Sequence, residues 1–155
     1  MGRMDETKVS HASLEIDAAP ATIFELIADP SRQPEWDGND NLASAATGQR
    51  VRAVGDVFVM TLSESTPVPA KERENEVVEF EEGRLIAWKP SPVGEPQPGH
   101  LWRWELAEVG DGKTLVTHTY DWTGLSDPSR MERARSTTAE RLLASLHRLK
   151  DLAES

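Results

Sequence analysis

The chain has 155 residues, a formal net charge of −10 and no cysteine. This length fits one domain that buries about two-thirds of its unfolded surface. The acidic balance argues against a nucleic-acid partner, because counterion release requires a basic face. The absence of cysteine excludes disulfides and thiolate chemistry. No stretch resembles a signal peptide or approaches the roughly 18 apolar residues of a membrane span, so we expect a cytoplasmic protein.

The N-terminal part predicts a strand followed by a helix. Residues 1–7 are polar and predict a loose tail, which leaves 8–155 as a single domain. Residues 9–16 alternate in the manner of a strand. Pro20 suits the first position of a helix that carries an apolar face. That helix should end at Asp29, because a residue before proline is pushed out of the α region.

The middle of the chain predicts a short helical turn and further strands. The turn is expected at 31–36, before Asp37 and Gly38. A strand is predicted at 49–53. Residues 57–62 are apolar on both alternating faces, which predicts a central strand covered on both sides.

Two hairpins are predicted after residue 70. Strands at 71–81 and 84–89 flank the turn Glu82-Gly83. Strands at 100–108 and 113–122 flank Gly110-Asp111-Gly112, the strongest hairpin signal in the chain.

The C-terminal segment predicts one long helix over 127–152. Asp127 can cap its free amides and Pro128 suits its first turn. Apolar residues then recur three or four positions apart, which places them on one stripe. The second half of the stripe is leucine. The first half is smaller and partly polar, and comprises Met131, Ala134, Arg135, Thr138 and Ala139. This first half either frays over the surface or covers a cavity.

These elements predict an α+β protein. A meandering antiparallel sheet must bury one face, and only the last helix is large enough to cover it.

Several short motifs resemble a known superfamily. They are Ile16 to Pro20, Ile23-Phe24, Ala28 to Ser31, Glu35-Trp36, Val54 to Asp56, Trp104 to Leu106 and Gly112 to Thr117. Together they resemble the START-like, or SRPBCC, helix-grip superfamily and its polyketide cyclase/dehydrase-like branch. The resemblance implies a curved antiparallel sheet wrapped around the long C-terminal helix, an apolar pocket between them, and two short helices after the first strand.

The resemblance also implies a range of activities. Members bind lipids, sterols, polyketides, hormones or flavonoids; some are cyclases, and others are co-chaperone activators or transport factors. The motifs mark the scaffold and leave the function open.

Aromatic residues on alternating strand positions are the candidate ligand contacts. Aromatic rings offer a large apolar area, and indole or phenol groups can orient a polar atom of a ligand. The alternative is that they only fill the core. The candidates from the sheet are Phe58, Met60, Trp88, Trp102, Trp104, His118, Tyr120 and Trp122, and those from the last helix are Met131, Arg135 and Thr138.

Three of these residues carry possible chemistry. His118 and Tyr120 are weak candidates for a catalytic acid or base, and a hydrogen-bonded core role is the alternative for His118. Arg135 could bind a ligand carboxylate or enolate, or its side chain could extend to water. The four histidines are dispersed, so no metal site is predicted, and no motif indicates a cofactor.

Three functions follow from these features. The leading hypothesis is a binding protein for a small hydrophobic or amphipathic ligand. The alternatives are an acid–base enzyme of the polyketide cyclase/dehydratase type and a protein-interaction module resembling the chaperone activators. The sequence does not distinguish a monomer from a homodimer.

Overall fold

The computed structural model describes residues 7–155. The predicted loose tail therefore lies outside the described residues, apart from Thr7. The strands are β1 (Val9–Ile16), β2 (Leu42–Ser44), β3 (Val57–Leu62), β4 (Glu72–Glu81), β5 (Leu85–Pro92), β6 (Leu101–Gly110) and β7 (Lys113–Asp121). The helices are α1 (Pro20–Ala28), α2 (Gln33–Trp36), α3 (Met131–Ser136) and α4 (Ala139–Glu154), with 3-10 turns at Pro30–Arg32 and Pro128–Arg130.

All strands belong to one seven-stranded antiparallel sheet in the order β1-β7-β6-β5-β4-β3-β2. Strands β2 to β7 follow one another as a meander, and β1 pairs with β7 at the far edge. The sheet curls into a half-barrel with the C-terminal helix packed against it. The predicted α+β helix-grip fold is confirmed.

The two short helices are held together by side-chain hydrogen bonds. Residue 29 ends α1 as predicted, ahead of Pro30. The indole Nε1 of Trp36 donates to the carbonyl of Leu26 at 2.8 Å, and Nε2 of Gln33 donates to the carbonyl of Ile27 at 3.0 Å. These bonds satisfy carbonyls that the last turn of a helix leaves without an internal partner. They fix α2 against the C-terminal end of α1.

The long C-terminal helix begins later than predicted. The long helix is α4, and the prediction of one continuous helix from residue 127 is wrong. Thr138 has φ −89° and ψ 166°, an extended conformation, and its side chain accepts a hydrogen bond from the amide of Arg141. Thr138 thus caps α4 and separates it from α3. Consecutive threonines favour such a break, because they are β-branched and their hydroxyls compete for backbone groups.

The loop after α2 approaches α4 very closely. The amide of Gly38 donates to Oγ of Ser145 at 3.0 Å, and Nη1 of Arg148 donates to the carbonyl of Asp37 at 2.9 Å. A Cβ on Gly38 would lie 2.5 Å from the carbonyl carbon of Ala144. The loop can approach α4 this closely because glycine has no Cβ.

Two strand predictions need correction. Residues 49–53 do not form a strand; instead the side chain of Gln49 accepts a hydrogen bond from the amide of Val59 at 2.8 Å and donates to its carbonyl at 3.2 Å. β3 is not central, because only the short β2 lies beyond it. The burial of β3 alternates, so only one face is covered, and Val57 on the other face is 53 % exposed.

Candidate functional site: a cavity between the sheet and the C-terminal helices

A cavity of about 1040 Å³, open to solvent on one side, lies between the sheet and the C-terminal helices. Strands β3 to β7 supply one wall, and the β3–β4 loop supplies part of the rim. The opposite wall comes from α3 and the first half of α4, where Ala134, Thr137, Leu142 and Ser145 line it. The small side chains of α3 leave this space, whereas Leu146 and Leu149 of α4 are fully buried in the core.

The sheet wall is a continuous group of aromatic rings. Antiparallel pairing places Trp88 opposite Trp102, Trp102 opposite Tyr120, and Trp104 opposite His118. The ring centroids of Trp102 and Tyr120 lie 4.4 Å apart, and those of Trp104 and His118 lie 3.7 Å apart. Phe58 extends the wall through an edge contact with Trp88 at 5.4 Å. Seven predicted ligand contacts line the cavity: Phe58, Met60, Trp88, Trp102, Trp104, His118 and Tyr120.

The other four predicted contacts lie outside the cavity wall. Trp122 follows the end of β7 and is buried in a cluster that Met131 packs against. Arg135 is exposed, with its guanidinium carbon 5.8 Å from the ring centroid of Trp122. Thr138 is exposed as the cap of α4. The break between α3 and α4 changes which side chains of this segment face the sheet, which accounts for Met131, Arg135 and Thr138. Trp122 lies beyond the last paired residue of β7, where the alternation of the strand no longer directs its side chain.

Two buried polar groups on the cavity floor have no hydrogen-bond partner among the described residues. They are Nε1 of Trp104 and Nδ1 of His118, on side chains that are 0 % and 4 % exposed. Burial lowers the pKa of His118 to about 3, so the imidazole is neutral at physiological pH. A buried polar group without a partner is costly, so a small shift that exposed either atom to the cavity would let it bond a ligand oxygen or an ordered water.

Tyr120 and His100 lie next to each other in the wall, with ring centroids 5.8 Å apart. Burial raises the pKa of Tyr120 to about 12. Burial, together with the charges of Arg130, Arg133 and Arg73, lowers the pKa of His100 to about 4. Both side chains are therefore uncharged at neutral pH.

Sequence reasoning missed several polar lining residues. His100 is two positions before Trp102, so the strand alternation extended backwards would have indicated it. Asn75 is buried and donates to the carbonyl of Phe58 at 3.3 Å. Arg73 and Arg133 also line the cavity. Nothing in the local pattern around either arginine distinguishes it from a solvent-facing charge.

The buried neutral histidine predicts a loss of stability in acid. His118 binds a proton below about pH 6.5 in the unfolded chain but only near pH 3 in the folded one. Unfolding is therefore favoured as the pH falls through this window. At about pH 5 His118 should lower the free energy of unfolding by about 2 kcal/mol.

Urea unfolding of His118→Phe at neutral pH and at about pH 5 checks this expectation. The variant should lose less stability on acidification than the original protein. His147→Gln, which changes an exposed histidine, is the control and should leave the acid loss in place. An equal acid loss in all three proteins would contradict the assignment.

The curled sheet, the C-terminal helix packed against it and the cavity between them define a helix-grip protein. The chain belongs to the family described as polyketide cyclase/dehydrase and lipid transport, whose model matches residues 7–154. The predicted resemblance is thus confirmed, and the fold is one that supports ligand binding.

The chain is also similar in sequence to a mycobacterial protein. The uncharacterized protein Rv0088 of Mycobacterium tuberculosis is 29% identical over 110 residues, which cover 71% of this chain and 46% of that protein. The chain thus spans about half the length of this relative.

Solved structures share the fold at low sequence identity. Protein Ms6760 from Mycobacterium smegmatis has a TM-score of 0.66 and 13% identity, with 98% of this chain and 94% of that chain covered. The major latex-like protein 151 of Panax ginseng has a TM-score of 0.60 and 16% identity, with 94% and 96% covered. At these identities the likeness concerns the fold alone.

The described residues also bear on other kinds of site. Within 7–155 no helix is long and apolar enough to cross a membrane. The same range contains no group of three or more His, Asp or Glu side chains that could hold a metal ion.

Proposed function

We propose that this protein binds a small hydrophobic or amphipathic molecule, of lipid, polyketide or aromatic type, between the sheet and the C-terminal helices. The observation that supports this most strongly is the cavity of about 1040 Å³ behind an aromatic wall. Ligand sites usually measure about 300–1,000 Å³ and combine an apolar lining with a few polar groups. The proposed contacts are the seven predicted residues that line the cavity: Phe58, Met60, Trp88, Trp102, Trp104, His118 and Tyr120.

The chemistry of the wall favours a ligand with a rigid or aromatic body. Flat rings stack on indoles in offset or edge geometries, and such pairs add about 0.5–1.5 kcal/mol beyond area burial. The indole N–H of Trp104 and the imidazole of His118 are buried, so each could meet an oxygen of the ligand only after a small local movement of the wall.

A bulky side chain placed in the cavity should weaken the binding of an uncharged fluorescent probe. N-phenyl-1-naphthylamine should bind the original protein at a single saturable site. Ala134→Phe places a ring in the cavity from the buried face of α3 and should weaken probe binding at least tenfold. Ala139→Phe makes the same change at an exposed position of α4 outside the cavity and should leave binding unchanged.

Fluorescence titration with circular dichroism as a check of folding provides the measurement. If Ala134→Phe does not fold, Thr137→Trp at the half-buried end of α3 tests the same point. Non-saturable probe fluorescence, or an equal affinity in the cavity and control variants, would contradict the proposal.

An acid–base enzyme of the cyclase/dehydratase type is the second candidate. His118 and Tyr120 favour it, because both line the cavity and both contact Trp102. With a pKa of about 3, His118 is too weakly basic to be protonated at neutral pH and could act only as a hydrogen-bonding group or weak base. Tyr120 keeps its phenolic proton and is the better donor. Loss of turnover in Tyr120→Phe with retained probe binding would separate catalysis from binding.

The proposal includes a cytoplasmic location, as expected from a sequence without a recognisable signal peptide or membrane span, and no nucleic-acid partner, as expected from the net charge of −10. The chaperone-activator alternative and the oligomeric state stay predictions.

A further inference from the structure

Three arginines converge on one end of the cavity, and we name them the arginine cluster. Arg73 lies on β4, Arg130 ends the 3-10 turn before α3, and Arg133 lies in α3. All three line the cavity, although they come from opposite walls. This concentration of positive charge is notable in a chain whose net charge is −10.

Carboxylates of the described residues compensate the cluster only in part. Asp127 lies 3.5 Å from Nε of Arg130 and is the one described carboxylate in ion-pair contact with the cluster. Arg73 donates from Nη1 to the carbonyls of Ala70 at 2.7 Å and Glu72 at 3.1 Å. The backbone carbonyl of Arg133 accepts hydrogen bonds from the hydroxyls of Ser136 and Thr137, but its guanidinium makes no hydrogen bond or ion pair within the described residues. Among the described residues its N–H donors are therefore left for water or a ligand.

The surroundings remove part of the hydration of these charges. Burial lowers the pKa of Arg73 and of Arg133, and neighbouring arginines add to the effect, while Glu95 opposes it at Arg73 and Tyr120 opposes it at Arg133. Arg73 and Arg130 are half-buried and Arg133 remains exposed. A cation that has lost part of its hydration and faces like charges gains more from an added anion than a fully hydrated surface cation does.

The same charges act on the uncharged rings of the wall. Arg130, Arg133 and Arg73 disfavour protonation of His100, whose buried Nδ1 has no partner among the described residues. Arg133 and Arg130 also favour the ionised form of Tyr120, against the larger effect of burial. The cavity end between His100 and Tyr120 therefore has a positive potential.

The carboxylates that also line the cavity do not cancel this potential. Asp37 accepts hydrogen bonds from the amides of Asn41 and Leu42 at 2.6 and 2.9 Å, and Asp127 caps the 3-10 turn through the amide of Ser129. Glu95 and Glu132 are exposed to solvent. None of the four is among the charges that shift the pKa of His100 or Tyr120.

We propose that the ligand of this cavity is an organic anion whose acidic group binds the arginine cluster while its apolar body lies along the aromatic wall. This inference rests on the proposed ligand-binding function and narrows its ligand class. A carboxylate, sulfonate or phosphate would suit the cluster, since guanidinium groups bind planar and tetrahedral oxyanions through paired N–H donors.

Two probes that differ only in an acidic group provide the test. 8-Anilinonaphthalene-1-sulfonate carries a sulfonate on the ring system of the uncharged N-phenyl-1-naphthylamine. The original protein should bind the sulfonate more tightly. Arg133→Gln should weaken sulfonate binding about tenfold, because a charge-assisted hydrogen bond is lost, and should change the affinity for the uncharged probe less than twofold. Arg73→Gln should act in the same direction.

Arg52→Gln is the matched control. Arg52 is exposed and does not line the cavity, so this variant removes the same charge without touching the arginine cluster. It should leave both affinities unchanged.

The outcomes separate this inference from the function on which it rests. Equal affinities for the two probes in the original protein, or equal losses of sulfonate binding in Arg133→Gln and Arg52→Gln, would overturn the anion site while leaving a neutral-ligand site standing. Saturable binding of neither probe would overturn both.

Discussion

Gly38→Ala is expected to lower the free energy of unfolding by about 3 kcal/mol, at the upper end of ordinary overpacking costs. The added Cβ would meet the carbonyl carbon and oxygen of Ala144 at 2.5 and 2.6 Å and the amide nitrogen of Ser145 at 2.6 Å. These are backbone atoms of α4, so the overlap cannot be relieved by turning a side chain. The loop or the helix must move, and the hydrogen bond from Gly38 to Ser145 is then weakened.

Gly110→Ala supplies the control for this substitution. A Cβ at Gly110 would meet nothing within 4 Å, and Gly110 is not among the glycines with a positive φ. Thermal unfolding should therefore show a fall of roughly 10 °C for Gly38→Ala and little change for Gly110→Ala. Similar melting temperatures for the two variants would show that the close approach of the loop to α4 does not contribute to stability.

Trp104→Ala should cost about 3–5 kcal/mol of stability, the range found when a fully buried large aromatic is truncated. Its side chain is 0 % exposed. Its ring contacts Trp36 in an edge geometry at 4.9 Å and His118 at 3.7 Å. Truncation would remove both contacts and join the new space to the cavity. Urea unfolding at neutral pH measures the loss.

Trp102→Ala is the matched comparison, because Trp102 is next along the same face of β6 but only half-buried. Its truncation should cost less than half as much and should weaken binding of the uncharged probe. A larger stability loss for Trp102→Ala than for Trp104→Ala would contradict the division of the wall into a core part and a ligand-facing part.

The strands and hairpins were predictable because their signals are local. The alternation of apolar residues, with Gly83, Gly110 and Gly112 in the turns, predicted the ends of β4 to β7 to within a few residues. Motifs spread over the chain then indicated the superfamily. The failure at 49–53 has a tertiary cause, since the side chain of Gln49 takes the place of a paired strand.

The cavity wall was only partly predictable, because it depends on how the elements meet. Because side chains alternate between the two faces of a strand, one face carries Trp102, Trp104, His118 and Tyr120, as expected. The helix side differed, since two non-helical residues, Thr137 and Thr138, change the direction of the chain between α3 and α4. Arg73 and Arg133 are 60 positions apart and meet only through the three-dimensional fold.

The cavity has three properties that a ligand must match. The aromatic wall offers apolar area, the cavity floor has two polar groups without described partners, and one end is positively charged. An amphipathic anion matches all three properties.

The most direct test of the account follows the five indole N–H signals by NMR while N-phenyl-1-naphthylamine is added. Trp36, Trp88, Trp102 and Trp104 line the cavity, whereas Trp122 does not, so the chain contains its own control. Saturable shifts of the four lining tryptophans with a nearly constant Trp122 signal are the predicted result. Unchanged signals from the four, or shifts that are largest at Trp122, would show that the cavity is not where hydrophobic ligands bind.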